Sequence, residues 1–235
     1  MTPVGAAELL ARARRLAINF HDGPLPRYAG LNATSWALMA QEDMHGITWH
    51  EMTPAVDAGR IVKRAVFPLE PEETALGLNA RCYEVGLAAF HEIADDITRG
   101  ELRLSVQETG RSYFARDLRP DALGTLDFSR PAAELAALVR ALDFGPYPNP
   151  LGLAKVHAGD KLVYVRAARV RESASGAAPG TVLGTEGAEV LVATGRGDIA
   201  LSGVSDAVLA RNELARTLRE SGRDPALEES FERLS

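Results

Sequence analysis

The segment INFHDGPLPRYAG, residues 18–30, is the most informative part of the chain, because it joins a short apolar run to a turn rich in proline and glycine. We predict that residues 16–20 form a buried strand. Side chains two positions apart in a strand share a face, so Asn19 and His21 are expected to line one cleft at its carboxyl end. The prolines that follow fix φ at about −65°, which makes the next loop stiff. Since open α/β sheets bind ligands at the carboxyl ends of their strands, the segment predicts an α/β domain with a site here.

A carboxylate that can complete this site is Asp57, in the turn VDAG at residues 56–59. Acyl transfer to an amine passes through a tetrahedral intermediate, which requires a donor for the oxyanion and a base for the amine proton. Asn19 supplies the first and His21 the second, while Asp57 can orient the imidazole or relay its proton through water. From residue chemistry alone, a catalytic trio and three polar residues with no shared task remain equal interpretations.

Regular elements are predicted around this motif. A long helix begins near residue 76 and ends at Gly100, and its apolar residues recur at steps of three, four and seven along one stripe. The stripe consists of Leu76, Tyr83, Leu87, Phe90, Ala94 and Ile97. Further helices are predicted at residues 6–16 and within 30–42, and strands at 46–52 and 61–68. The polar stretch from residue 101 to 121 predicts a linker.

Short strands dominate the second part of the chain. A helix at residues 131–142 leads into a loop at 144–150, where three prolines exclude a helix or a strand ladder. The residues GRGD at 195–198 resemble an adhesion motif, but we predict a hairpin turn. Strands are predicted at residues 161–170, 180–185, 189–194 and 198–204. This spacing is typical of a small β-barrel, and a charged, partly helical tail follows from residue 206.

Composition limits the class of protein. The 235 residues carry a net charge of −6 without a basic stripe, which argues against a nucleic-acid partner. Cys82 is the one cysteine, so no internal disulfide forms. The sequence contains no long apolar run, and we predict no signal peptide. We therefore predict a cytoplasmic protein with no membrane partner.

Other candidate ligands and contact residues have simpler explanations. His45, His50 and Cys82 lack the spacing of zinc ligands, so no metal site is predicted. Trp36 and Trp49 are expected to pack in the core beside the strands rather than against a substrate.

Several motifs together resemble one family. They are INFHDGPLPRYAG at residues 18–30, Trp36, HGIT at 45–48 and VDAG at 56–59. This set closely resembles the signature of the formyltransferases that use 10-formyltetrahydrofolate, which include methionyl-tRNA, amino-sugar and peptide-synthetase formyltransferases. Downstream, LVRALDFGPYPNPLGLAK at residues 138–155 and APGTV at 178–182 are similar to the family's small C-terminal barrel.

The resemblance implies a fold class and a domain organisation. The fold is α/β, namely the C-terminal half of a formyltransferase sheet domain of Rossmann-like type, followed by a small β-barrel domain. The implied bounds are 1–110 for an N-terminally truncated catalytic domain, 121–205 for the barrel and 206–235 for a helical or frayed tail. Family members begin with about four further strands that contribute to the folate pocket, so a missing half, or a partner chain that supplies it, is expected.

The resemblance also implies roles for particular residues. Asn19, His21 and Asp57 match the catalytic residues of the family, and 10-formyltetrahydrofolate is the implied formyl donor. Ala55, Val56 and Asp57 match positions that contact the folate.

The nature of the formyl acceptor stays open at this point. The motifs most resemble versions fused to peptide synthetases, where the acceptor is an aminoacyl group on a carrier protein. An amino sugar and initiator methionyl-tRNA are the alternatives, and the acidic balance disfavours the tRNA. A hypothesis of another class is a catalytically incompetent remnant that acts as an interaction module.

Overall fold

The computed structural model describes residues 10, 13, 15–159 and 161–206, with the backbone alone at 205 and 206. Two compact units divide between Arg119 and Pro120. The helix predicted for residues 6–16 falls mostly outside the described residues, and the predicted tail lies outside them beyond residue 206.

Among its described residues, the first unit contains a three-stranded antiparallel sheet and two helices, which lie where strands and helices were predicted between residues 16 and 100. The antiparallel pairing was not predicted. A second, two-stranded parallel sheet pairs Ala29–Gly30 with Tyr113–Phe114. In chain order the elements are β1 (Ile18–His21), β2 (Ala29–Gly30), α1 (Ala33–Met39), β3 (Met44–Glu51), β4 (Ile61–Pro68), α2 (Ala75–Arg99) and β5 (Tyr113–Phe114).

The larger sheet has the order β1-β3-β4, and its central strand is buried along most of its length. The register pairs Asn19 with His50 and His21 with Thr48. Because directly paired residues of antiparallel strands share a face, these four side chains lie on the same side of the sheet. β1 forms an edge of the sheet within the described part of the chain, which explains why only His21 of its four residues is buried.

The opposite face of the sheet packs on α2. The ring of Phe20 lies 5.4 Å from that of Trp49, and the Trp49 indole Nε1 donates to the Gly86 carbonyl at 2.9 Å. A Cβ at Gly86 would lie 2.3 Å from the Phe20 ring, so only glycine permits this approach of helix and strand. Trp49 therefore packs between strand and helix, as predicted.

Both ends of α2 follow local capping rules, but its buried face is not the predicted one. Thr74 accepts from the Gly77 amide at the N-terminus, and Gly100 ends the helix at φ 73°. Tyr83 and Leu87 of the predicted stripe are 67% and 64% exposed. The buried positions are instead Ala75, Leu78, Cys82, Gly86, Ala89 and Ile93. Small side chains on this face let the helix approach the aromatic residues of the sheet, so close packing outweighs hydrophobicity here.

The second unit is largely β, as predicted. The elements after a 3₁₀ turn (Asp121–Gly124) are α3 (Ala132–Ala141), β6 (Lys155–Ala158), β7 (Lys161–Tyr164), β8 (Ala167–Val170), β9 (Val182–Glu186), β10 (Glu189–Ala193), β11 (Asp198–Ser202) and β12 (Ser205–Asp206). Its sheets have the orders β8-β11-β10-β9 and β12-β7-β6, and both are antiparallel. The helix α3 packs on β8 and β11.

Two corners carry the chain between these sheets, an arrangement typical of a small barrel. The single strand predicted at 161–170 is divided between β7 and β8, because the chain leaves one sheet for the other at Val165 and Arg166. The second corner lies between β11 and β12, where Gly203 has φ 62°.

Residues 194–197 form the turn between β10 and β11, and Asp198 begins β11, which confirms the prediction of a hairpin turn. The Thr194 amide donates to the Gly197 carbonyl at 3.1 Å across this turn. Asp198 is 4% exposed, and its carboxylate accepts from the amide and hydroxyl of Ser175. The carboxylate of the apparent adhesion motif is therefore buried and hydrogen-bonded within the protein.

Within the part of the chain that the structure describes, no helix combines the length and the apolar character that crossing a membrane requires.

Candidate active site

The structure brings Asn19, His21 and Asp57 together around one carboxylate. His21 Nδ1 lies 3.7 Å from Asp57 Oδ2. Asn19 reaches Asp57 through His50, whose Nε2 is 3.3 Å from both Asn19 Nδ2 and Asp57 Oδ1. The separation between His21 and Asp57 exceeds a hydrogen bond but suits one bridging water or a substrate atom.

The orientation of His21 is fixed by the loop that follows it. Its Nε2 donates to the Tyr28 carbonyl oxygen at 2.8 Å, and the side chain is 5% exposed. The lone pair of the neutral imidazole is consequently on Nδ1, the atom that faces Asp57 and, at 3.9 Å, Asp22 Oδ1. A Cβ at Gly23 would lie 2.8 Å from His21 Nε2, so glycine at this position lets the loop close over the ring. Nδ1 is therefore the atom of His21 that can receive a proton.

Asp57 is held ionised in a tight turn. Its backbone is in the left-handed region at φ 47°, and its Oδ2 accepts from the Gly30 amide at 2.8 Å. Burial by itself would raise the pKa of Asp57. The hydrogen bonds from His50 and Gly30, with the nearby charges of His21 and His50, outweigh burial and place the pKa below its ordinary value. The carboxylate is therefore charged at neutral pH and available to an imidazolium.

Two residues from the predicted linker hold the Asp57 turn in place. Gln107 Nε2 donates to the carbonyl oxygens of Asp57 and Gly59, both at 2.8 Å. Arg111 donates to the carbonyls of Val56 and Asp57 at 2.8 and 3.1 Å. Sequence reasoning missed both contacts, since nothing local in a polar stretch indicates which distant turn it will hold.

The proline-containing loop is pinned from the sheet, consistent with the stiffness predicted for it. Thr48 Oγ1 donates to the Gly23 carbonyl at 2.8 Å and accepts from the Leu25 amide at 3.0 Å. His45 Nε2 donates to the Asp22 carbonyl at 2.8 Å. Burial lowers the pKa of His45, so this imidazole is a neutral structural donor.

The two other residues predicted to contact folate lie beside Asp57 and are exposed. Val56 is 55% exposed, and Ala55 is also at the surface. Their carbonyl oxygens accept from Arg111 and Thr53, respectively, at 2.8 and 2.9 Å. Both residues thus border the turn that carries Asp57 and leave their side chains open to a ligand.

Trp36 packs against other aromatic residues, and Cys82 is a buried thiol. The Trp36 ring stacks on Phe114 with centroids 5.0 Å apart, in the cluster with Tyr28. Burial raises the pKa of the Cys82 thiol, which leaves it protonated and unreactive. Among the described residues, no group of three or more His, Cys, Asp and Glu side chains is arranged to hold a metal ion.

Comparisons with known proteins agree with this architecture. The family model described as "Formyl transferase" matches residues 5–93, and that described as "Formyl transferase, C-terminal domain" matches residues 120–212. Together they match more than half of the chain. The methionyl-tRNA formyltransferase of Desulfotalea psychrophila is 30% identical over 179 residues, which are 76% of this chain and 53% of that protein. The chain thus spans about half the length of this curated relative.

Solved structures resemble the chain in fold. The N-formyltransferase from Helicobacter canadensis, in complex with folinic acid and dTDP-3-aminofucose, has a TM-score of 0.66 at 18% identity and covers 80% of this chain and 66% of its own. HypX from Aquifex aeolicus, in complex with tetrahydrofolic acid, has a TM-score of 0.64 at 21% identity and covers 81% of this chain and 32% of its own. With matches to both family models and this shared fold, the chain belongs to the formyl transferase family.

Proposed function

We propose that this chain transfers a formyl group from 10-formyltetrahydrofolate to a primary amine. The observation that carries the proposal is the convergence of Asn19, His21 and Asp57 on one carboxylate-centred site. An amide donor, an imidazole with a free Nδ1 and a charged carboxylate are the groups that acyl transfer to an amine requires. The family membership and the folates bound by the two structural neighbours support the identity of the donor.

In the proposed mechanism, the amine lone pair attacks the formyl carbon and the carbonyl electron pair moves onto oxygen. Asn19 Nδ2 donates to this oxyanion, and His21 Nδ1 accepts the proton that the amine loses. Asp57 stabilises the resulting imidazolium. Collapse of the intermediate breaks the bond to N10 of the folate, which takes the proton from His21 and leaves as tetrahydrofolate.

Contacts to the folate are proposed for the turn that carries Asp57. Ala55 and Val56 are exposed there, and the fixed left-handed backbone at Asp57 keeps the turn in one conformation. Gln107 and Arg111 hold this turn by its carbonyl oxygens, so little ordering is needed when a ligand binds.

An aminoacyl group on a carrier protein is the acceptor we favour. This choice is supported by the resemblance of the motifs to peptide-synthetase versions of the family. One relative described above is named for methionyl-tRNA, and one structural neighbour was solved in complex with dTDP-3-aminofucose. The chain spans about half of its curated relative. Catalysis by this chain without a partner chain is therefore part of the proposal.

The test combines donor binding with turnover. Purified chain is titrated with a reduced folate, then incubated with 10-formyltetrahydrofolate and an aminoacylated carrier protein. We expect saturable folate binding and formylation in the wild type. Asp57→Asn should retain the fold by circular dichroism and lose turnover by at least about 10²-fold, since it removes the charge that stabilises the imidazolium. Full activity in Asp57→Asn would refute the assignment of the site. Absent folate binding would favour an interaction module, or a partner chain that supplies the missing half of the fold.

A further inference from the structure

His50 lies inside the candidate site, although the mechanism above gives it no task. It is 3% exposed and sits on β3 directly opposite Asn19. Its Nε2 is 3.3 Å from Asn19 Nδ2 and 3.3 Å from Asp57 Oδ1. A single ring nitrogen thus faces both a donor and an acceptor.

The other ring nitrogen determines what Nε2 can do. His50 Nδ1 is 2.9 Å from the carbonyl oxygen of Glu51, an atom that only accepts hydrogen bonds. Nδ1 therefore carries a proton in both charge states. In neutral His50 the lone pair is on Nε2, whereas in the cation Nε2 carries a second proton.

These two states favour different partners. The lone pair of neutral His50 accepts one hydrogen from Asn19 Nδ2, and the second hydrogen of that amide stays free. Protonated His50 cannot accept from Asn19 and instead donates to Asp57 Oδ1, which strengthens its pairing with a carboxylate. In the protonated state, the N–H at His50 Nε2 faces the NH₂ group of Asn19, and two hydrogen-bond donors repel each other.

We propose that His50 is a positioning residue that fixes the Asn19 amide with its nitrogen towards the reaction centre when neutral, and releases it when protonated. The inference builds on the proposed function, in which Asn19 Nδ2 donates to the oxyanion. It gives the oxyanion donor a defined orientation before the substrate binds, which is the condition for electrostatic stabilisation without reorganisation.

The titratable groups that face His50 are few and come from separate elements. Asp57 approaches from its turn, and His21 lies on β1 with ring centroids 6.4 Å apart. On the same strand, the Glu51 carboxylate is turned to Arg60 at 2.9 Å. Because His21 is a second imidazole in the same site, a pH profile of turnover alone does not separate the contributions of the two residues.

Nuclear magnetic resonance of the full chain separates them. The ring nitrogens of His21 and His50 and the side-chain amide of Asn19 are followed from about pH 8 to about pH 5. We expect the Asn19 amide shifts to follow the His50 titration, with the Nδ1-protonated tautomer in neutral His50. Asn19 shifts that are constant, or that follow His21, would overturn the proposal.

Two variants make the test specific. In His50→Gln, the amide oxygen still accepts from Asn19 but does not titrate, so the Asn19 shifts should stay constant over this range. In His50→Leu no acceptor remains, and the Asn19 amide should lose its hydrogen-bonded shift at every pH. If the Asn19 amide shifts still change with pH in His50→Gln, the inference is contradicted, even if His50→Leu does not fold.

Turnover gives a second readout where the wild type is active. We expect His50→Leu to lower kcat about 10-fold or more with little change in KM, and His50→Gln to stay within about threefold, because loss of an oxyanion donor itself costs about 10²–10³-fold. Equal losses in both variants would overturn the proposal. Absence of wild-type turnover would count against the proposed function alone, because the resonance measurements on Asn19 stand without it.

Discussion

Asp57 is the residue on which the contacts of the site converge. Its carboxylate meets the Gly30 amide, His21 and His50, and its carbonyl oxygen accepts from Gln107. Both the side chain and the backbone of one turn residue are therefore used, which accounts for its left-handed conformation at φ 47°. The negative charge of Asp57 therefore serves two purposes: it accepts the hydrogen bonds that hold the turn, and it is the charge that the proposed mechanism requires.

Asp57 should make the stability of the chain depend on pH in the acid range. Its folded-state pKa lies below the ordinary value of 3.8, so its stabilising contribution is complete above that value and is lost as the pH falls through the folded-state pKa. We expect the difference in free energy of unfolding between the wild type and Asp57→Asn to shrink below about pH 4, measured by urea denaturation. Asp117→Asn, at an exposed position, is the control. A difference that stays constant to pH 2 would contradict the linkage.

At this scale the sequence predicted part of the site. Asn19 and His21 share a strand face by simple alternation, and the structure places both as expected. His50 and Gln107 could not be predicted, because their partners lie across the sheet and in a distant turn. Strand register and long-range loop contacts depend on the packing of the whole unit, which no local pattern contains.

Among the elements, α2 is the one whose packing departs most from a hydrophobic pattern. Its backbone approaches the sheet most closely at Gly86, while Tyr83 and Leu87 of the predicted stripe stay largely exposed, although the Tyr83 ring stacks on Phe20 with centroids 5.5 Å apart. Helix formation is a local property and was predicted. The choice of buried face depends on the shape of the sheet, in particular on the Phe20 ring.

Gly86→Ala should destabilise the chain through a clash with Phe20. Gly77→Ala is the matched control in α2, since its Cβ would meet chiefly the flexible tip of Glu73 at 3.2 Å. Both variants gain helix propensity, worth up to about 1 kcal/mol. We expect Gly86→Ala to be less stable than Gly77→Ala by about 1–3 kcal/mol in urea denaturation. Equal stabilities would show that the ring moves aside without cost.

Gln107→Ala should loosen the turn that carries Asp57. The variant loses two hydrogen bonds to carbonyl oxygens, each worth about 0.5–1.5 kcal/mol. We expect faster amide hydrogen exchange at residues 57–59 and reduced turnover, with Glu108→Ala, at an exposed neighbouring position, as the control. Unchanged exchange in Gln107→Ala would mean that the turn is rigid without this contact.

At the scale of the whole molecule, charge bears on the choice of acceptor. The chain carries a net charge of −6, and binding to a polyanion depends on Lys and Arg contacts to phosphates. We expect no shift of initiator methionyl-tRNA in a gel assay at physiological salt, and stable association with an aminoacylated carrier protein in the same buffer. Salt-dependent tRNA binding would reverse this preference and favour the tRNA acceptor.

Local motifs such as residues 18–30 were enough to predict the family, the α/β and small-barrel classes, and the residues of the candidate trio. The folded structure was needed to show which nitrogen of His21 is free, that His50 joins Asn19 to Asp57, and which face of α2 is buried. Motifs record residue types and spacing along the chain. Hydrogen-bond partners and buried faces are set by contacts between residues far apart in sequence, and these exist only once the chain has packed.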